Sequence, residues 1–202
     1  MTPSASISSN RILISRIIAV ILLALLILTD SSFRDSTTGV LLYVFGVLLV
    51  GIGTVGRLWC ALYISGYKKE ELITQGPYSI SRNPLYFFSL LGFSGIGFAT
   101  ETFTFGILAI LVFALVYPFI IRKEEEFLRS KFGQAYDGYC QRTPRFFPKF
   151  AAFQEPETYA VNPKVFRRAA LDAIWFVWFL GILKLIDLAH KTGVIKPLFF
   201  VR

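Results

Sequence analysis

Two short stretches of the sequence concentrate side chains that can hold charge or a charged ligand. The first runs Leu72-Ile73-Thr74-Gln75-Gly76-Pro77-Tyr78-Ser79-Ile80-Ser81-Arg82-Asn83-Pro84-Leu85-Tyr86. Gly76-Pro77 is a turn signal. Pro84 suits the first turn of a helix, where its missing N–H costs nothing, and this makes Asn83 the expected N-cap. Arg82 beside free helix N-terminal amides makes a corner suited to a carboxylate. The residue types equally permit a snorkelling arginine at a plain helix start.

The second stretch is Arg122-Lys123-Glu124-Glu125-Glu126-Phe127-Leu128, followed by Phe132-Gly133, Tyr136, Tyr139, Arg145 and Pro148. Neighbouring helical residues point about 100° apart, so the three carboxylates cannot face solvent equally. One turned inward would suit the amine, ribose hydroxyls or positive sulfur of a cofactor. The alternative is a solvated charge run paired with Arg122, Lys123 or Arg129, which is the reading preferred for Glu126. Cys60 and Cys140 have neither metal-ligand nor disulfide-framework spacing, and His190 is the single histidine. No metal site is expected. Chemistry would rest on carboxylates, arginines, tyrosines, backbone groups or a bound cofactor.

The chain that positions these stretches has 202 residues, 54% of them hydrophobic and only 17% charged. A soluble domain carries about a quarter charged residues. Mean hydropathy is +0.59, yet the net charge is +8. An ordinary soluble enzyme, a disordered chain and a coiled coil are excluded. A nucleic-acid binder shares the charge but not the apolar runs, so the expected partner is the lipid bilayer. Apolar runs cover about 12–28, 38–64, 85–99 and 103–121, with a weaker one over 173–189. Ile12 to Leu28 lacks a small-residue cleavage site and reads as a retained first helix. Only Thr100, Glu101 and Thr102 separate the third and fourth runs, which predicts a tight hairpin. Gly46, Gly51, Gly53 and Gly56, with Gly92, Gly95 and Gly97, permit close helix approach. In the fifth run Lys184 and Asp187 share a helix face and can pair. That run either spans the membrane or lies in the interface. Arg57, Lys68, Lys69 and Arg82 precede the third span, and a larger basic group follows the fourth. The positive-inside rule then places 65–84 and 122–172 in the cytosol. The expected fold is all-α: a polytopic membrane bundle of four to five helices. Residues 1–150 form the core, with a cytosolic helix and tail over 122–150. Residues 151–202 form a C-terminal extension.

Together the two stretches resemble the isoprenylcysteine carboxyl methyltransferase and phospholipid methyltransferase superfamily. Its first motif, roughly L-[VI]-T-x-G-P-Y-x-x-x-R-[HN]-P-x-Y, matches Leu72 to Tyr86. Its second, roughly R-x-x-E-E-x-x-L-x-x-x-F-G-x-x-Y-x-x-Y and then R-x-x-P, is met by Glu124, Glu125, Leu128, Phe132, Gly133, Tyr136, Tyr139, Arg145 and Pro148. The match covers about residues 40–150. One departure stands out: the best-known members carry His where this chain has Asn83. Asparagine can cap and hydrogen-bond, but it is no proton-transfer base.

The resemblance implies an integral membrane enzyme that binds S-adenosylmethionine at the cytosolic end of the bundle and takes a lipid-like acceptor from the bilayer. It implies that Gly76, Pro77, Tyr78, Arg82, Asn83 and Pro84 line the cofactor pocket. Glu124, Glu125, Tyr136 and Arg145 would close it. Arg82 would meet the cofactor carboxylate or an acidic acceptor group. Glu125 or Glu124 would hold the amine or ribose, and Arg82 and Glu125 are the catalytic candidates. Tyr86 and Tyr139 are the acceptor-side candidates, and Tyr78 and Tyr86 would pack on adenine or shape the tunnel. Methyl transfer from a sulfonium needs alignment and water exclusion more than a metal. Two alternatives remain. Membrane sterol reductases, which use NADPH, resemble the same region through a string close to Tyr139-Cys140-Gln141-Arg142-Thr143-Pro144. A non-enzymatic membrane scaffold is the other.

Overall fold

The structure is a computed structural model that describes residues 24–65 and 71–202. Most of the expected first span, and Lys68 and Lys69, lie outside the described residues. Residues 24–28 are helical and lead into strand β1, Thr29–Ser31. Ser36 then caps helix α1, Thr37–Ile64, its hydroxyl accepting from the amide of Gly39 at 3.1 Å. After the short helix α2, Pro77–Ile80, come helix α3, Pro84–Phe98, and helix α4, Phe103–Phe132. Helix α5, Gln134–Arg142, precedes an irregular tail containing one 3-10 turn, Phe150–Ala152. Helix α6, Pro163–Lys191, and strand β2, Phe199–Val201, complete the chain.

The expected all-α bundle holds, with one small exception. Strands β1 and β2 pair in parallel, Asp30 opposite Phe200. Among the described residues, three helices are long and apolar enough to cross a membrane: α1, α4 and α6. These match three of the four to five expected spans, and most of the first expected span lies outside the described residues. Helix α3 has 15 residues and covers about 22 Å at roughly 1.5 Å each, short of the ~30 Å hydrocarbon core. Helix α6, at 29 residues, has the length and composition of a span. The hairpin turn falls at 100–102 as expected, with Thr102 capping α4 through the amide of Phe105. Span and acidic stretch form one continuous helix: α4 has 30 residues, about 45 Å, and carries Glu124 and Glu125 out of the apolar layer.

Helices α1 and α3 make the most extensive contact in the bundle, and glycine is the reason. A Cβ on Gly53 would stand 2.6 Å from the backbone nitrogen of Gly92. One on Gly46 would stand 2.4 Å from that of Ala99. The helices touch backbone to backbone, which fixes where the start of α3 stands relative to α1.

The end of the bundle opposite the two motifs is a charge network. Arg34 meets Asp30 at 2.5 Å and Asp187 at 3.4 Å. Lys184 meets Glu101 at 3.3 Å and Asp187 at 3.5 Å. Lys191 bridges Asp187 and Asp35. The Lys184–Asp187 pair is thus part of a larger structural cluster. His190 belongs to it too: one ring nitrogen lies 2.8 Å from the carbonyl of Ile27, the other 3.4 Å from Arg34.

Candidate functional site

Gly76 begins the site because its backbone demands it. Its φ is +58°, and a Cβ there would lie 2.2 Å from the Tyr63 ring. Pro77 follows as the first residue of α2 and is fully buried. The chain then runs through Tyr78 and Arg82 to Pro84, the first residue of α3.

The tail after α5 returns antiparallel along this loop. The amide of Arg82 donates to Pro144 at 2.8 Å, and the amide of Lys149 donates to Ile80 at 2.9 Å. The Ser81 hydroxyl donates to the Phe146 carbonyl at 2.9 Å. The amide of Gly76 donates to Gln154 at 2.7 Å. Backbone pairing between segments some 60 to 80 residues apart straps the two motifs into one unit.

Glu125 is the hub of that unit. Its Oε1 accepts from Asn83 Nδ2 at 3.1 Å and lies 3.7 Å from Arg82 Nε. Its Oε2 accepts from Arg145 Nε at 2.9 Å. Asn83 also donates from Nδ2 to the carbonyl of Arg145 at 2.9 Å. This corrects the expected cap. Asn83 occupies the N-cap position of α3, but its side chain makes no capping hydrogen bond. A hydrogen bond to a carboxylate is stronger than one between neutral groups, and the amide is drawn to Glu125 instead. The start of α3 is held by the Asn83 carbonyl, which accepts from Tyr86 and Phe87.

Beside this hub lies a cleft lined by Tyr78, Arg82, Asn83, Tyr86, Glu124 and Tyr139. It draws side chains from both motifs. Within it Tyr86 donates to Glu124 Oε2 at 2.6 Å. Arg82 donates from Nη1 to Cys140 Sγ at 2.6 Å, while its buried Nε has no hydrogen-bond partner. Glu124 and Glu125 are half-buried and Glu126 is exposed, as the helical spacing requires. Glu125 and Arg145 stand behind the cleft wall rather than on it. Tyr136 is 1% exposed, its hydroxyl unpartnered, and packs at 6.0 Å from Tyr139.

Cys140 and the wall residues Ile64 and Glu71 were not expected to bear on the site, while the wall residues Leu72, Ile73 and Leu128 lie in the two motifs without having been given a role. The only sequence signal for Cys140 was its place between Tyr139 and Gln141. Its role as a partner of Arg82 depends on a contact across 58 residues.

Tyr139 donates to the carbonyl of Tyr78 at 2.7 Å, pinning α5 to the loop. Burial pushes the phenols of Tyr78 and Tyr139 above the ordinary tyrosine value. For Tyr136 burial acts with the nearby charge of Glu125. An acid raised in the folded state gives stability that is complete below its unfolded value, about 10 for tyrosine, and lost as pH rises beyond it. The melting temperature is therefore expected to fall once pH passes about 10. Thermal scans across that range check it, and a flat profile would contradict it.

The cleft fits S-adenosylmethionine in chemical type. Arg82 offers a buried cationic donor with spare capacity for a carboxylate, and Glu124 offers a negative charge for an amine or sulfonium. Residues 35–135 match the phospholipid methyltransferase family. The chain is 40% identical over 190 residues to the cobalt-zinc-cadmium resistance protein CzcN of Cupriavidus metallidurans, covering 94% of this chain and 88% of the relative. It is also 40% identical over 186 residues to the nickel-cobalt-cadmium resistance protein NccN of Alcaligenes xylosoxydans xylosoxydans, covering 92% and 87%. No solved structure shows a significant match. A motif-built cleft and a family match that includes all of its wall but Tyr139 lead to one conclusion: the chain belongs to the phospholipid methyltransferase family, within the isoprenylcysteine carboxyl methyltransferase-like superfamily of membrane methyltransferases.

Proposed function

We propose that the protein is an S-adenosylmethionine-dependent methyltransferase acting on a lipid-like acceptor at the membrane surface. The observation that carries this is the cleft itself, where Arg82 from the first motif and Glu124 from the second face the same space. When bound, S-adenosylmethionine supplies an electrophilic methyl group on a positive sulfur. Arg82, held by Glu125 at Nε and by Cys140 at Nη1, binds the amino-acid carboxylate through the rest of its guanidinium. Glu124, oriented by Tyr86, holds the amine or ribose side. Glu125 is a positioning residue: it fixes Arg82, Asn83 and the tail through Arg145. The tail closes the cleft from water. Asn83 holds rather than titrates, so proton transfer is not its task.

Helices α1, α4 and α6 embed the protein in the bilayer, and we place the cleft at its cytosolic side on the charge bias of the loops. The two relatives are named for cobalt-zinc-cadmium and nickel-cobalt-cadmium resistance, and we place the methylation in that setting.

The test is transfer of radiolabelled methyl groups by the purified chain to an extract of total membrane lipids. Label in the organic phase, lost with Arg82→Ala, supports the activity. Label confined to S-adenosylmethionine contradicts it. Incorporation that rises in membranes from cadmium-exposed cells supports the metal setting, and no rise removes it.

A further inference from the structure

Helix α1 carries a single charged side chain, Arg57. It lies seven residues before Ile64, about 10 Å into the apolar layer from the helix end. Its Nη1 donates to Ser89 of α3. Its guanidinium stands 5.5 Å from the ring centroid of Phe176 of α6. Its buried Nε has no hydrogen-bond partner, and no carboxylate of the described residues pairs with it. A charge at this depth is expensive unless something compensates it, and ionisable residues within membrane spans mark ligand paths by default. A hydroxyl and an aromatic face do not neutralise a full positive charge.

The surroundings of Arg57 lead to the cleft. Ser89 lies five residues beyond Pro84, about 8 Å along α3 toward the bilayer. Tyr117 of α4 is within electrostatic reach of Arg57. The Tyr117 ring is 5.5 Å from that of Tyr86, whose hydroxyl holds Glu124 in the cleft. Helices α4 and α6 flank α3 without packing along each other. We read the space this leaves over α3 as a lateral groove with Phe93 on its floor. Phe93 is 42% exposed, 5.2 Å from Phe176 and 6.4 Å from Tyr117. An apolar groove that ends on an unneutralised arginine fits a molecule with an apolar tail and a negative head.

We infer that Arg57 binds the anionic head, a carboxylate or a phosphate, of an amphiphile whose tail lies in the groove between α4 and α6. In the methyltransferase reading, on which the term acceptor rests, this amphiphile is the methyl acceptor, and its head is drawn to the membrane side of the cleft.

The test uses the full chain in a neutral detergent, with oleate, oleyl phosphate and oleyl alcohol as probes of one chain length. Trp59, two residues from Arg57, gives the fluorescence signal. The wild type is expected to bind one of the anionic probes about tenfold or more tighter than the alcohol. Which one it prefers assigns carboxylate or phosphate. Arg57→Gln is expected to remove the difference and Arg57→Lys to restore part of it. A wild type with no preference, or a preference that survives Arg57→Gln, overturns the inference. If Arg57→Gln does not fold, the wild-type ratio together with Arg57→Lys decides. Failure here is separable from failure of the enzyme reading. A chain that discriminates the probes but does not bind S-adenosylmethionine overturns the enzyme and leaves the anion site. A chain that binds the cofactor without discriminating overturns the anion site alone.

Discussion

Arg82→Ala is expected to weaken S-adenosylmethionine binding by about tenfold or more, the order set by losing a hydrogen bond to a charged group. Arg82 is 15% exposed, and its Nε points to no protein acceptor closer than Glu125 at 3.7 Å. Removing it takes away a buried cationic donor on the cleft wall and also frees Cys140 Sγ and Glu125. Glu125→Ala is expected to match it by another route. The carboxylate gathers Arg82, Asn83 and Arg145, and its loss leaves Asn83 and Arg82 short of their partner while the tail loses its anchor. Calorimetry on both variants checks this. Unchanged affinity in both would remove the site assignment.

The second large effect concerns the scaffold. Gly53→Ala is expected to destabilise the protein by about 3 kcal/mol, the upper range for overpacking. The new methyl would meet backbone, Gly92 nitrogen at 2.6 Å and Phe88 oxygen at 2.8 Å, and backbone cannot swing aside as a side chain does. The helices must part, and the start of α3, with Asn83 and Arg82, moves with them. Gly51→Ala on the same helix meets nothing within 4 Å and is expected to be neutral. A melting-temperature comparison of the two variants checks the claim. Equal stability would mean that the α1–α3 contact is not the constraint described.

What the sequence revealed and what it hid divide along a physical line. Local signals were legible. Gly76-Pro77, Pro84 and Thr102 mark turns and helix starts that depend only on neighbouring residues. The helical phase of Glu124, Glu125 and Glu126 foretold that the three could not face solvent equally, and Glu124 and Glu125 are the ones turned partly inward. Apolar runs placed α1, α4 and α6. The short span of α3 was harder to judge, because its apolar composition is complete while its length falls short of the bilayer. Long-range pairing was hidden. Nothing near Asn83 shows that a carboxylate on another helix will outcompete its own helix for the side-chain amide. Nothing near Pro144 or Lys149 shows that their backbone will pair with Arg82 and Ile80. The end of the bundle away from the two motifs also carries basic residues, Lys191 among them. In the fold Asp30, Asp35, Glu101 and Asp187 meet that end's cations, which lowers their cost there.

The central claim is that the cleft formed by both motifs is an S-adenosylmethionine site. The most direct measurement is isothermal calorimetry of the full chain in detergent with S-adenosylmethionine and, separately, with NADPH. The account predicts saturable one-to-one binding of S-adenosylmethionine, lost in Arg82→Ala, and no heat of binding from NADPH. Saturable binding of NADPH, or binding of neither, would contradict it.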